Sequence, residues 1–168
     1  YARTHAHFRD MLNRADVALP DGIGLVWAWR FLGFTTSDVT TGEKLERIPG
    51  VEFMEDLVQI AAKRGVRIGL IGGFDGLAVK ALECLQSAYP GLSGWAEDGP
   101  ILEGADEAVI DRLDGTFWAS LAQKIVKTKT GIVFVGLGAP KQEYFIYRLT
   151  EELSVPVVCM SVGGAFAV

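Results

Sequence analysis

The stretch over residues 131–144, Gly-Ile-Val-Phe-Val-Gly-Leu-Gly-Ala-Pro-Lys-Gln-Glu-Tyr, constrains the fold of this chain more than any other. Ile132 to Val135 form a short β-branched and aromatic run, Gly136 and Gly138 break it, and Pro140 stands where a first helical turn begins. The pattern predicts a strand, a glycine turn and a helix. Such a junction aims backbone N–H groups and the positive end of a helix dipole at the carboxyl edge of a sheet, where an anion such as a phosphate is stabilised. Lys141, Gln142 and Glu143 crowd the first turn, and a lysine has the wrong sign for a helix N-terminus, so a ligand is one reason for it. A glycine turn also serves as plain chain reversal in any α/β protein, and from these residues alone both readings stand.

The same order recurs along the chain. Residues 66–71 read as a strand ending in Gly72-Gly73, followed by a helix over 77–89. A strand over 92–96 is closed by Glu97-Asp98-Gly99, and helical segments over 105–114 and 117–127 are separated by Gly115. The helix after the central strand runs over 141–153, and a last strand over 157–162 leads into Gly163-Gly164. Upstream, 5–14 predicts a short amphipathic helix with Phe8, Met11 and Leu12 on one side, 16–19 a brief strand, and 51–64 a helix with a core stripe of Met54, Leu57, Val58 and Ala61. Several strands are too apolar to have a wet face, so the expected architecture is a parallel sheet covered on both sides by helices.

A chain of 168 residues fits one domain with a real core. Its net charge of −5, with no Lys/Arg cluster, argues against nucleic acid as a partner. Cys84 and Cys159 have no partner at metal or redox spacing, so both read as buried core thiols suited to a reducing, cytoplasmic compartment. No signal peptide opens the sequence, and the nearly apolar run over 155–168 is too short to span a bilayer. The start at Tyr1 and the stop after a strand-like segment suggest an excerpt of something longer.

Asp21 lies in a Pro-Asp-Gly turn: it reads as a turn residue or helix cap, or as a carboxylate positioned at a sheet edge where open α/β folds keep their ligands. Residues 22–33 are apolar on nearly every face, which predicts a helix buried on both sides, with a lipid-facing role as the second reading. The Thr-rich stretch over 34–44 reads as a loop able to close over a ligand. Arg47 is in an extended segment because Ile48 precedes Pro49, where it is either solvated or able to reach a diphosphate with its fork of donors.

Other chemistries lack their parts. The turn at residues 136–141 has no third glycine for a dinucleotide fingerprint, and no phosphate-binding Gly-Lys-Ser/Thr loop or Gly-x-Ser-x-Gly elbow occurs. The two histidines, His5 and His7, both fall in the first helix, and no Asp-x-Asp metal motif is present, so no metal site is expected.

The blocks Leu-Pro-Asp-Gly-Ile-Gly-Leu-Val (19–26), Glu-Arg-Ile-Pro-Gly-Val (46–51), Ile-Gly-Gly (71–73), Tyr-Pro-Gly (89–91), Val-Gly-Leu-Gly-Ala-Pro-Lys-Gln-Glu (135–143) and Val-Gly-Gly-Ala-Phe (162–166) occur in this order. Together they resemble the successive signatures of the WecG/TagA/CpsF glycosyltransferases. The resemblance implies a single Rossmann-like α/β domain, mostly parallel, with helices on both faces. It further implies a metal-independent, inverting enzyme without a cofactor, which moves a sugar, N-acetylmannosamine first, from a UDP-sugar donor to undecaprenyl-diphosphate-linked N-acetylglucosamine. The implied setting is teichoic acid or other cell-surface polysaccharide synthesis, cytoplasmic and peripheral at the inner face of the plasma membrane.

By the same resemblance Asp21 matches the family's catalytic base, Arg47 an arginine that meets diphosphate charge, and Gln142 the glutamine of the active-site signature. Gly72, Gly73, Gly136, Gly138, Pro140, Lys141, Glu143, Gly163 and Gly164 are the expected donor contacts. The chain departs from the family pattern in four ways. It lacks an initial strand and a C-terminal segment, has extra residues between Asp21 and Arg47, and carries Ala167 where an Asp is usual. These departures keep a second reading open, a non-catalytic nucleotide-sugar-binding or assembly module. The apolar segment after Asp21 would suit either the lipid acceptor or a subunit contact in a homo-oligomer.

Overall fold

The central strand is apolar on both sides, and that decides the layering. In the computed structural model, which describes residues 2–33, 46–102, 104 and 107–166, Val133 and Val135 join one core while Ile132 and Phe134 join another. Four strands, β1 (Arg67–Gly72), β2 (Gly94–Glu97), β3 (Thr130–Gly136) and β4 (Val158–Ser161), make one sheet in the order β2-β1-β3-β4. Every pair is parallel, with Ile68 beside Ile132, Leu70 beside Phe134 and Gly72 beside Gly136.

Helices cover both faces. On one side lie α1 (Ala6–Asn13), α5 (Glu107–Asp111), α6 (Gly115–Thr128) and α7 (Lys141–Glu152), which supply Phe8, Met11, Ile110, Trp118, Ile125, Phe145 and Leu149 to a core with Ile71, Val133 and Val135. On the other lie α3 (Gly50–Arg64) and α4 (Leu77–Ala88), whose Met54, Val58, Ala61, Ala78 and Leu82 pack on Ile68, Leu70, Ile132 and Phe134. The expected stripe of α3 is thus the one it buries. Among the described residues this is the expected α/β, Rossmann-like arrangement, an all-parallel sheet between two helical layers.

Several expectations are corrected. Residues 16–19 are irregular: they belong to no strand of the sheet, and Val17 is 67% exposed. A four-residue run has no ladder unless a free strand edge lies beside it, and its neighbouring backbone bonds are Asp21 N–H to the Leu19 carbonyl and Ile48 N–H to the Pro20 carbonyl. The helix after Asp21, α2 (Ile23–Gly33), is not buried on both sides. Val26 is buried, whereas Ile23, Leu25, Trp27, Trp29 and Phe31 are exposed, because both sheet faces are already occupied by other helices.

Cys84 is exposed instead of buried, since Ala78 and Leu82 set the inward face of α4 and Cys84 falls about 200° round the helix from Leu82. Cys159 is partly buried. The helix expected to reach residue 114 ends at Asp111, because the Asp114 carboxylate accepts from Phe117 N–H and caps α6. The stretch over 34–44, residues 105–106 and Ala167 lie outside the described residues.

Candidate functional site

β1 and β3 end side by side in glycine, and the backbones touch there. A Cβ on Gly72, whose φ is +143°, would stand 2.3 Å from the Gly136 carbonyl oxygen, so no other residue fits. The chain then turns through Gly73, Gly138 and Gly163, all at positive φ. Around these turns lies a cleft of about 220 Å³ at the carboxyl edge of the sheet. Its glycine walls are Gly73, Gly136, Gly138, Gly163 and Gly164, and Lys141 brings a cation to the rim. Pro140 occupies the cap position of α7 with no capping side chain, so that helix N-terminus keeps its positive end beside the cleft.

Sequence reasoning missed the apolar part of the lining, formed by Phe74, Pro100, Leu102 and Leu137. The available signal was the turn after β2. Asp98 there accepts the Gly76 N–H with both carboxylate oxygens, at 3.1 and 2.9 Å, and a Cβ on Gly99 would collide with Leu137 at 2.3 Å. Those contacts bring the segment after β2 over the ends of β1 and β3.

Gln142 is buried below this edge. Its Oε1 accepts the Gly163 N–H at 3.0 Å, and its Nε2 donates to Glu143 Oε1 at 2.9 Å. The second carboxylate oxygen of Glu143, Oε2, is buried with no hydrogen-bond partner among the described residues. A buried carboxylate oxygen left unpaired is costly, which suits a ligand hydroxyl or a water as its donor.

Asp21 and Arg47, 26 residues apart, are brought together. Arg47 Nε donates to the Asp21 carbonyl at 2.6 Å, and its Nη2 lies 3.7 Å from Asp21 Oδ1. Both side chains are more than half exposed, at 59% and 53%, so the ion pair adds at most about 1 kcal/mol of stability. Asp21 Oδ2 stands beside Gly50, where α3 begins, 3.4 Å from where a Cβ would be.

The path of α3 relates this pair to the cleft. The helix packs along β1 and enters it through the tight Gly65 turn, so it runs back along the strand; its 15 residues span about 22 Å, against about 20 Å for the six of β1. The start of α3, and Asp21 and Arg47 with it, therefore lies at the carboxyl edge of the sheet. Neither residue is part of the cleft lining itself. Among the described residues, no three His, Cys, Asp or Glu side chains converge as a metal site, and no helix is long and apolar enough to cross a membrane.

The chain is similar to N-acetylglucosaminyldiphosphoundecaprenol N-acetyl-beta-D-mannosaminyltransferases of Staphylococcus aureus. It is 29% identical to that of strain MRSA252 and 30% identical to that of strain NCTC 8325, in each case over 168 residues. These alignments cover 100% of this chain and 58% of each relative, so the chain spans little more than half their length. The sequence model of the glycosyl transferase WecG/TagA/CpsF family matches residues 1–168, and the chain belongs to that family.

Proposed function

We propose that the protein acts as an inverting, metal-independent glycosyltransferase, moving N-acetylmannosamine from a UDP donor to undecaprenyl-diphosphate-linked N-acetylglucosamine in teichoic acid or related polysaccharide synthesis. The observation behind this reading is the exposed Asp21 carboxylate, paired with Arg47 beside the start of α3, together with the glycine cleft at the carboxyl ends of β1 and β3. The activity for which the relatives are named supports the choice of sugar and acceptor.

In this reading Asp21 takes the proton of the acceptor hydroxyl as its oxygen attacks the anomeric carbon. The bond from that carbon to the UDP oxygen breaks on the opposite face, so the configuration inverts and UDP leaves with the electron pair. The N-terminus of α7, Lys141 and Arg47 supply positive charge for the diphosphate, and Glu143 Oε2 offers an acceptor to a donor hydroxyl. The exposed apolar side chains of α2, which starts two residues after Asp21, favour peripheral contact at the inner face of the plasma membrane, where a polyprenyl acceptor would be held.

The test is UDP release from UDP-N-acetylmannosamine with a short-chain polyprenyl-diphosphate N-acetylglucosamine, in the wild type and in Asp21→Asn. Acceptor-dependent release should fall about 10²- to 10⁴-fold in the variant, the range of a lost general base, with the melting temperature unchanged because Asp21 is exposed. Equal rates would remove Asp21 from the chemistry. Absence of release with this donor, its uronic acid counterpart and UDP-glucose would turn the reading to a binding module.

A further inference from the structure

We infer that Gln142 is a positioning residue, one that touches neither sugar nor reacting atoms but sets the width of the donor cleft by tying the Gly163 turn to the first turn of α7. The inference rests on the reading of the glycine cleft as the donor site. Its hydrogen bonds carry it. The side chain is buried, and its two polar atoms are both engaged by protein groups: Oε1 by the Gly163 N–H at 3.0 Å, Nε2 by Glu143 Oε1 at 2.9 Å.

One partner, Gly163, lines the cleft, and the other, Glu143, is two residues from Lys141, which also lines it. Glu143 follows Lys141 on α7, and Gly163 leads into Gly164 after β4. A carboxamide suits this bridge because it accepts at one end and donates at the other, so one orientation alone meets both an N–H and a carboxylate. The Gly163 turn has a further backbone tether, from Val162 N–H to the Val135 carbonyl at 2.9 Å. It is also pressed onto the end of β3, where a Cβ on Gly136 would stand 2.9 Å from the Gly163 oxygen. With one side held by β3 and the other by Gln142, the turn keeps its distance from Gly138 and Lys141. Removing the amide leaves the Gly163 N–H unpaired and that wall free to move.

Three variants test this, each read by amide exchange at Gly163, UDP binding by calorimetry, donor KM and kcat. Gln142→Ala should speed exchange at Gly163 and raise the UDP Kd and donor KM, each by about tenfold, the scale of one hydrogen bond, with kcat within about threefold of wild type. Gln142→Glu should lose more, because a carboxylate cannot donate to Glu143 and faces it with like charge. Combining Gln142→Glu with Glu143→Gln should then restore slow exchange at Gly163. The new carboxylate at position 142 accepts from both Gly163 and the new amide at position 143, and that amide's oxygen stands where Glu143 Oε2 was.

Two results would overturn the inference. One is a Gln142→Ala variant whose kcat falls about a hundredfold or more while its UDP Kd and donor KM stay at the wild-type values, which would put Gln142 on the reacting atoms. The other is unchanged Gly163 exchange in Gln142→Ala, which would remove the tether. If the wild type binds no UDP, the donor reading fails by itself, and exchange at Gly163 still decides whether Gln142 holds the turn.

Discussion

Cys84 and Cys159 carry the same thiol in opposite settings. Cys84 faces water on the outer side of α4, while burial in β4 pushes the Cys159 thiol up to about 11, from an ordinary 9.0. At pH 8 a thiol reagent should therefore label one cysteine quickly, Cys84→Ser should abolish that fast phase, and Cys159 should react only after unfolding. Two fast thiols would contradict the burial of Cys159. Because its folded value is raised, Cys159 contributes stability below about pH 9 that is lost as the pH climbs towards 11. The site residues show the same dependence on surroundings. A Pro-Asp-Gly turn and an arginine before Ile-Pro are visible in the sequence, but the contact that makes Asp21 and Arg47 a pair joins segments 26 residues apart.

At the scale of elements, α2 and α3 differ in what their sequences could say. The apolar positions of α3 recur every three or four residues with a polar back, so the buried face of α3 was legible. In α2 nearly every position is apolar, which leaves no periodicity to point a direction, and expectation turned to burial on both sides. The observed helix instead exposes Trp27 and Phe31, one turn apart with ring centroids 6.4 Å from each other and stacked at 27°. Such a surface should bind an apolar fluorescent dye in the native state. Trp27→Ser with Phe31→Ser should at least halve the dye signal and shift unfolding free energy by less than about 0.5 kcal/mol each, as for surface sites. A loss of several kcal/mol in denaturant unfolding would mean that these rings are packed.

At the scale of the whole molecule, β3 holds the two cores together, with Val133 and Val135 on one face and Ile132 and Phe134 on the other. Phe134 is fully buried, so Phe134→Ala should cost about 3–5 kcal/mol, seen as a lower urea midpoint at unchanged slope. A cost under about 1 kcal/mol would show that this core can collapse around the gap. The sequence alone determined the class of fold, because strands apolar on both faces and alternating with helices leave a covered parallel sheet as the way to bury them. It also determined where the turns fall, because a glycine-broken strand is a local property of the backbone. Only the tertiary structure decided the strand order β2-β1-β3-β4, the approach of Gly72 to Gly136, the partners of Gln142 and the exposure of α2. Each of those depends on which distant segment comes to lie alongside, and that is settled by packing across the whole chain, which local periodicity does not encode.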